Sequence, residues 1–136
     1  MPACDALRFE HVAQFDDFEE YTALDEDLLF DMSGFGLDGK NIELIDLRTI
    51  YPFDIDAIEA SVRKTGRCVV VHEAPLTCGF GAEISARIME RCFLHLEAPV
   101  QRVAGFDTIM PYYKLELDYM PDAARVGRAI DDALAY

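Results

Sequence analysis

The centre of the chain alternates short apolar runs with longer amphipathic stretches. Val69–Val71 is an uninterrupted β-branched run that Pro75 closes, a pattern that predicts a strand buried on both faces. A Gly-Phe-Gly turn at residues 79–81 follows it. Apolar side chains then recur every four residues, which predicts a helix with this stripe: Ile84, Ile88, Cys92 and Leu96. The order strand, loop, helix is the building unit of an α/β sheet.

A second unit of the same kind precedes it. Ile42–Arg48 begins with alternating apolar and polar residues, as a strand does. Asp54 can cap a following helix that Gly66 ends, with this buried stripe: Ile55, Ile58 and Val62. Consecutive strand–helix units make right-handed crossovers between parallel strands. The sequence therefore predicts an α/β fold in which a mostly parallel sheet lies between two layers of helices.

Shorter elements complete the predicted domain. Pro99–Ala104 is the next strand, and Pro121 with Asp122 opens a last helix. Its predicted apolar face consists of Val126, Ile130, Ala133 and Leu134. Between strand and helix, residues 105–113 are aromatic and aperiodic, which indicates a loop that covers its own domain or meets a partner.

The first 40 residues form an acidic segment that we assign to the same domain as residues 41–136. Apolar residues recur there every three positions and predict an amphipathic helix: Phe9, Val12, Phe15, Phe18, Tyr21 and Leu24. That helix either packs on its own domain or docks on a basic partner. Leu28–Phe30 is a candidate edge strand.

Charge and composition exclude several classes of function. The chain of 136 residues has 26 acidic and 12 basic side chains, and a net charge of −14 disfavours nucleic acid and anionic membranes as partners. Residues 1–31 alone contribute −9, from ten acidic residues and one arginine. The chain shows neither a secretory signal nor an apolar run long enough to span a bilayer, so we expect a cytoplasmic protein. The four cysteines lack the spacing of a zinc site.

The candidate chemistry lies where strands of a parallel sheet end, because ligands and partners usually meet that edge. His72 and Glu73 are adjacent there, but neighbouring strand residues point to opposite faces and do not easily share one substrate. The amides of Gly79–Gly81 could hold an anion. Alternatively, these glycines let the helix approach the sheet closely, and Glu83 in the first turn disfavours an anion. Arg48 is a candidate ion-pair partner across a subunit interface.

Several motifs resemble one known family. They occur in the same order in the C-terminal transketolase-like domain of the β subunit of 2-oxo acid dehydrogenase E1 components, of the pyruvate and branched-chain types. The matching segments are residues 43–54, 69–75, 79–84, 105–107, 111–112 and 119–122. In that family the first strand and its helix stand just before the strand matched by Ile42. Only about ten residues separate Leu28–Phe30 from Ile42, too few for a helix and its loops, so the resemblance leaves the first unit of the sheet missing or replaced.

The resemblance also implies a function. Such E1 proteins use thiamine diphosphate and magnesium to decarboxylate a 2-oxo acid and acylate the lipoyl group of E2, but the catalytic and cofactor-binding groups lie in other domains and in the α subunit. We therefore expect this chain to hold no catalytic, cofactor or metal site of its own. Its partners would be the E1 α and β subunits and the subunit-binding domain of E2, or a further copy of the chain. Candidate interface residues are Arg48, His72, Glu73, Phe80, Asp107 and Tyr112.

Three hypotheses for function follow. The first is a non-catalytic assembly domain related to an E1 β subunit. The second is a free-standing interaction or regulatory module that reuses the fold and binds a partner through its acidic segment. The third is an enzyme that works at His72 and Glu73.

Overall fold

A sheet of parallel strands runs through the middle of the protein. The computed structural model describes residues 4–9, 40–112 and 114–136. Within them the strands are β1 (Cys4–Phe9), β2 (Asn41–Asp46), β3 (Cys68–Pro75) and β4 (Gln101–Gly105), in the order β2-β1-β3-β4. Each neighbouring pair is parallel. The predicted α/β class with a parallel sheet is confirmed.

Strand β1 is the element that the sequence pattern did not predict. It lies inside the sheet, with Leu7 paired to Leu44 of β2 on one side and to Val69 of β3 on the other. Within the described residues, Cys4–Phe9 therefore occupies a place in the sheet that the sequence analysis left missing or replaced. The assignment of Phe9 to a helical stripe was wrong, because Phe9 ends β1. The rest of that predicted helix and the candidate strand Leu28–Phe30 lie outside the described residues.

Helices α1 (Ile55–Thr65) and α2 (Phe80–Cys92) cover one face of the sheet. The predicted caps of α1 are confirmed: Asp54 accepts a hydrogen bond from the amide of Ala57, and Gly66 ends the helix with φ of 73°. The buried side chains between these helices and the sheet are Ile58, Val62, Cys68, Val70, Ile84, Ile88 and Cys92. A 3₁₀ turn, Phe93–His95, extends α2, so Leu96 lies beyond the helix that was predicted to include it.

The last helix, α4 (Ala123–Leu134), covers the other face, and a short helix, α3 (Glu116–Tyr119), precedes it. The helix begins beside Pro121 and Asp122 as predicted, and Asp122 is its cap, because its side chain accepts from the amide of Arg125. The core on this side consists of Val69, Val71, Val103, Val126, Ala129, Ile130 and Ala133. Helices thus lie on both faces of the sheet, which is the predicted three-layer arrangement.

Candidate functional site

The candidate site is the edge at which β2, β3 and β4 end. Three loops leave the sheet there: residues 47–54 before α1, residues 76–79 before α2, and residues 106–115 before α3. All six candidate interface residues lie on these loops, at the strand ends or in the first turn of α2. The topology therefore brings them to one edge of the domain, although they do not form one cluster.

His72 is inside the domain rather than on its surface. Only 2% of the residue is exposed, and neither ring nitrogen has a hydrogen-bond partner among the described residues. Burial lowers the pKa of His72, and the guanidinium of Arg102 on β4 lowers it further, while the backbone of Ala74 works weakly in the opposite direction. The imidazole is therefore neutral at pH 7.

The Gly-Phe-Gly turn is shaped around this imidazole. A Cβ atom on Gly79 would lie 2.6 Å from Cε1 of His72, and one on Gly81 would lie 2.5 Å from Cδ2. No side chain larger than hydrogen fits at either position unless its neighbours move. The close-approach interpretation of these glycines therefore fits the geometry.

Glu73 and Arg48 differ from His72 in exposure. Glu73 is exposed whereas His72 is buried, so the two side chains face opposite ways, as the strand period predicts. Arg48 is partly exposed and has φ of 48°. Its amide and its Nε both donate to the carboxylate of Asp46, each at 3.2 Å. The ion pair predicted across an interface is thus made at least in part within the chain.

Asp107 joins two of the loops. Its carboxylate accepts from the Thr77 hydroxyl at 2.5 Å and from the amide of Thr77 at 2.8 Å. The bond from the hydroxyl and then the bond from the amide lower the pKa of Asp107, with smaller effects from the Leu76 amide and Arg102. Arg102 also donates to the carbonyl of Leu76 at 3.2 Å. The loop after β3 is therefore fastened to β4 and to the loop that follows it.

Side chains and backbone of β3, α3 and α4 contact the start of the last loop, where it leaves β4. A Cβ atom on Gly105 would lie 2.5 Å from the carbonyl oxygen of Glu73 and 2.6 Å from the ring of Tyr119, so this glycine allows a close contact of three segments. Phe106 meets Tyr119 edge to face, and the guanidinium of Arg125 lies 4.5 Å from the centre of the Phe106 ring. Arg125 also donates to the carbonyl of Ala104.

Large apolar side chains project from these loops and from α3. We call the following seven residues, each at least 38% exposed, the carboxyl-edge surface: Leu76, Phe106, Ile109, Met110, Tyr112, Leu115 and Leu117. Tyr112 is the most exposed of them at 91%. Ile50 and Tyr51 are exposed on the loop after β2. The sequence indicated an aromatic, aperiodic loop here, but Leu115 and Leu117 were missed because no helical or strand period marks them.

Phe80 occupies a different position at the same edge. It is partly buried and meets Phe53 edge to face, with ring centres 5.2 Å apart. Arg87, paired with Glu83 one turn earlier, lies 5.5 Å from the centre of the Phe53 ring. Phe80 thus joins α2 to the loop before α1, and only part of its ring faces solvent.

Among the residues that the structure describes, no three side chains of His, Cys, Asp or Glu lie together as metal ligands. The glycine-framed start of α2 is filled by His72 and carries Glu83 in its first turn. Among the described helices, none combines the length and the apolar content that a bilayer crossing requires.

A parallel sheet covered by helices on both faces defines a doubly wound α/β domain. Residues 36–126 match the family model described as "Transketolase, C-terminal domain". The chain belongs to this family.

Comparison with curated relatives shows which members of this family the chain is similar to. The chain is 55% identical over 91 residues to a 2-oxoisovalerate dehydrogenase subunit beta of Pseudomonas aeruginosa, covering 67% of this chain and 26% of the relative. It is 54% identical over 98 residues to the mitochondrial 2-oxoisovalerate dehydrogenase subunit beta of Dictyostelium discoideum, covering 72% and 26%. A pyruvate dehydrogenase E1 component subunit beta of Leifsonia xyli is 48% identical over 99 residues, covering 73% and 29%.

The predicted relationship to E1 β subunits is thereby confirmed. The chain spans about a quarter of the length of these curated relatives. A solved structure of a "Split gene transketolase, inactive beta4 tetramer" has the same fold, with a TM-score of 0.65 over 98% of this chain and 38% of that one. At 18% sequence identity this likeness concerns the fold alone.

Proposed function

We propose that this chain is a non-catalytic assembly domain of a thiamine diphosphate-dependent 2-oxo acid dehydrogenase, of the pyruvate or branched-chain type. The observation that carries the proposal is the carboxyl-edge surface. Its apolar side chains are exposed although the loops that bear them are fastened by Asp107, Arg102 and Arg125. An exposed apolar patch on a fixed backbone is typical of a protein–protein interface.

The candidate interface residues contribute to this surface in different ways. Glu73, Asp107 and Tyr112 are exposed at the edge and would meet a partner directly. Arg48 and Phe80 are partly exposed and would border the contact. His72 would act only through the loop that it supports.

The partners we propose are the α and β subunits of E1 and the subunit-binding domain of E2. Thiamine diphosphate and magnesium would be held by other parts of that assembly, in the cytoplasm. The names of the curated relatives support this assignment. We assign no catalytic residue to this chain.

Capture with the tagged full chain at pH 7.5 tests the proposal. Lysate of the source organism is passed over the immobilised chain, and the bound proteins are identified by mass spectrometry. Recovery of E1 subunits or of the lipoyl-bearing E2 supports the proposal. Failure to recover either of them contradicts the proposal. Decarboxylation of a 2-oxo acid by the purified chain alone would also contradict it.

The second hypothesis, a free-standing interaction module, makes a different prediction in the same experiment. Capture of a protein unrelated to these dehydrogenases, lost when residues 1–26 are deleted, would favour that hypothesis. Deletion that leaves the captured proteins unchanged would argue against it.

A further inference from the structure

The unusual feature of the site is a buried imidazole that has no hydrogen-bond partner among the described residues. Buried polar groups in proteins nearly always have a partner, so an exception calls for an explanation. His72 is the described residue whose buried side-chain nitrogens lack one. Its ring lies against the first turn of α2, beside Gly79 and Gly81.

The surroundings of His72 favour the neutral ring on balance, although the backbone of Ala74 favours the protonated ring. Arg102 faces it from β4, and the amino-terminal end of α2 contributes the positive end of a helix dipole. The nearby carboxylates are engaged or turned away: Glu83 of α2 pairs with Arg87, Asp107 holds Thr77, and Glu73 of β3 faces solvent. A proton on this ring would therefore stand buried beside positive charge with no described carboxylate bonded to it.

The ring is connected to the carboxyl-edge surface through short segments. Seven residues separate His72 from the start of α2, and one of them, Thr77, holds Asp107 at the root of the last loop. The carbonyl of Glu73, the residue after His72, packs on Gly105, which ends β4 just before the last loop. A shift of α2 away from the ring would therefore pull on the loop that carries Phe106 and Ile109.

We propose that His72 is an acid-sensitive latch for the carboxyl-edge surface. With the neutral ring, α2 and the loop at residues 76–79 close on β3 and the surface is formed. Protonation drives the imidazole out from under Gly79 and Gly81, and the loops after β3 and β4 loosen before the domain unfolds. The inference rests on the proposed function, since it concerns regulation of the same surface.

Hydrogen exchange of the full chain, measured by mass spectrometry, tests the latch. Protection factors, corrected for the intrinsic effect of pH, are compared at pH 7.5 and pH 5.5. We expect protection in peptides covering residues 72–84 and 104–118 to fall by roughly three- to tenfold at the lower pH, while α4 keeps its protection. His95→Gln is the matched control, because His95 lies at the far end of α2 and contacts Arg63; this variant should behave as the wild type does.

Three results would overturn the latch. The wild type could show equal protection at both pH values, or it could lose protection in all helices together at pH 5.5. The His95→Gln variant could also lose the pH response that the wild type shows. His72→Gln should remove the pH response of both loops. If that variant does not fold, NMR titration of the wild-type chain decides instead, since the His72 ring and the Thr77 amide must then change with the same midpoint. The capture experiment that tests the proposed function is done at pH 7.5, where the latch is closed. Failure to capture E1 or E2 proteins would therefore refute the proposed function without bearing on the latch.

Discussion

The ring of His72 fills the space that a side chain at position 81 would need, which explains why residue 81 is a glycine. In most helices, replacing glycine with alanine stabilises the fold by about 0.5–1 kcal/mol. At Gly81 the added methyl would instead meet the imidazole and the side chain of Val70. The glycine is therefore kept for packing, not for backbone flexibility.

We expect Gly81→Ala to lower the free energy of unfolding by about 1–3 kcal/mol, the usual cost of overpacking, in urea denaturation. The test is a double-mutant cycle with His72→Ala, which removes the ring. In that background Gly81→Ala should cost much less. An equal cost in both backgrounds would show that the ring is not the obstacle.

The same histidine makes stability depend on pH. Its pKa is lowered in the folded state, so its contribution is complete above the unfolded value of about 6.5 and is lost as the pH falls below it. Between pH 7.5 and 5.5 we expect the wild type to lose up to about 1.4 kcal/mol relative to His72→Gln. Comparison with this variant removes the contribution of the net charge of −14, which both proteins share. Parallel pH profiles of the two proteins would contradict the account.

At the scale of elements, the caps could be read from the sequence because they depend on neighbours only three or four residues away. Asp122 accepts from the Arg125 amide at 2.7 Å and begins the helix that covers the β3–β4 side of the sheet. We expect Asp122→Ala to cost about 1 kcal/mol in chemical denaturation. Asp132→Ala, which removes an exposed carboxylate from the same helix, is the control and should change stability little. Equal losses in the two variants would argue against a capping role.

The link between Asp107 and Thr77 makes a separate prediction. Asp107→Ala should increase hydrogen exchange at the Thr77 amide and in residues 106–112, because both bonds that fasten the loop are lost. Helix α1 should keep its protection, and Asp118→Ala, an exposed carboxylate on α3, should leave Thr77 unchanged. Unaltered exchange at Thr77 in the Asp107 variant would show that the loop is held in another way.

Strand β1 shows where local pattern fails. The strands β2, β3 and β4 and the helices α1, α2 and α4 have a clear period or caps, and the sequence predicted them within a few residues. Cys4–Phe9 has neither, and Phe9 also fits the three-residue spacing that continues to Leu24. Its place between β2 and β3 depends on pairing with residues more than 30 positions away, which no local pattern records.

The candidate site was predictable in part for the same reason. The carboxyl edge follows from the alternation of strands and helices, and Glu73 and His72 were expected to face opposite ways from the strand period. The burial of His72 under two glycines and the bond from Thr77 to Asp107 are contacts between distant segments. They required the three-dimensional arrangement.

At the scale of the whole molecule, the described residues combine an α/β core with an exposed apolar edge. Helices cover β3 on both faces and bury its apolar side chains. The edge does expose apolar side chains, and among them Ile109, Tyr112 and Leu117 are each more than 80% exposed. The described residues thus divide into a packed core and an exposed apolar edge, which is the surface that we propose for assembly.

The most direct test of this account is quantitative capture by a surface variant. Ile109→Ser, Tyr112→Ser and Leu117→Ser are combined in one chain, and Phe93→Ser with Leu94→Ser, exposed at the far end of α2, serves as the control. Circular dichroism should show both variants folded. The account predicts that the first variant loses at least nine tenths of the E1 or E2 protein captured by the wild type at pH 7.5, while the control retains it. Full capture by the carboxyl-edge variant, or loss only in the control, would contradict the account.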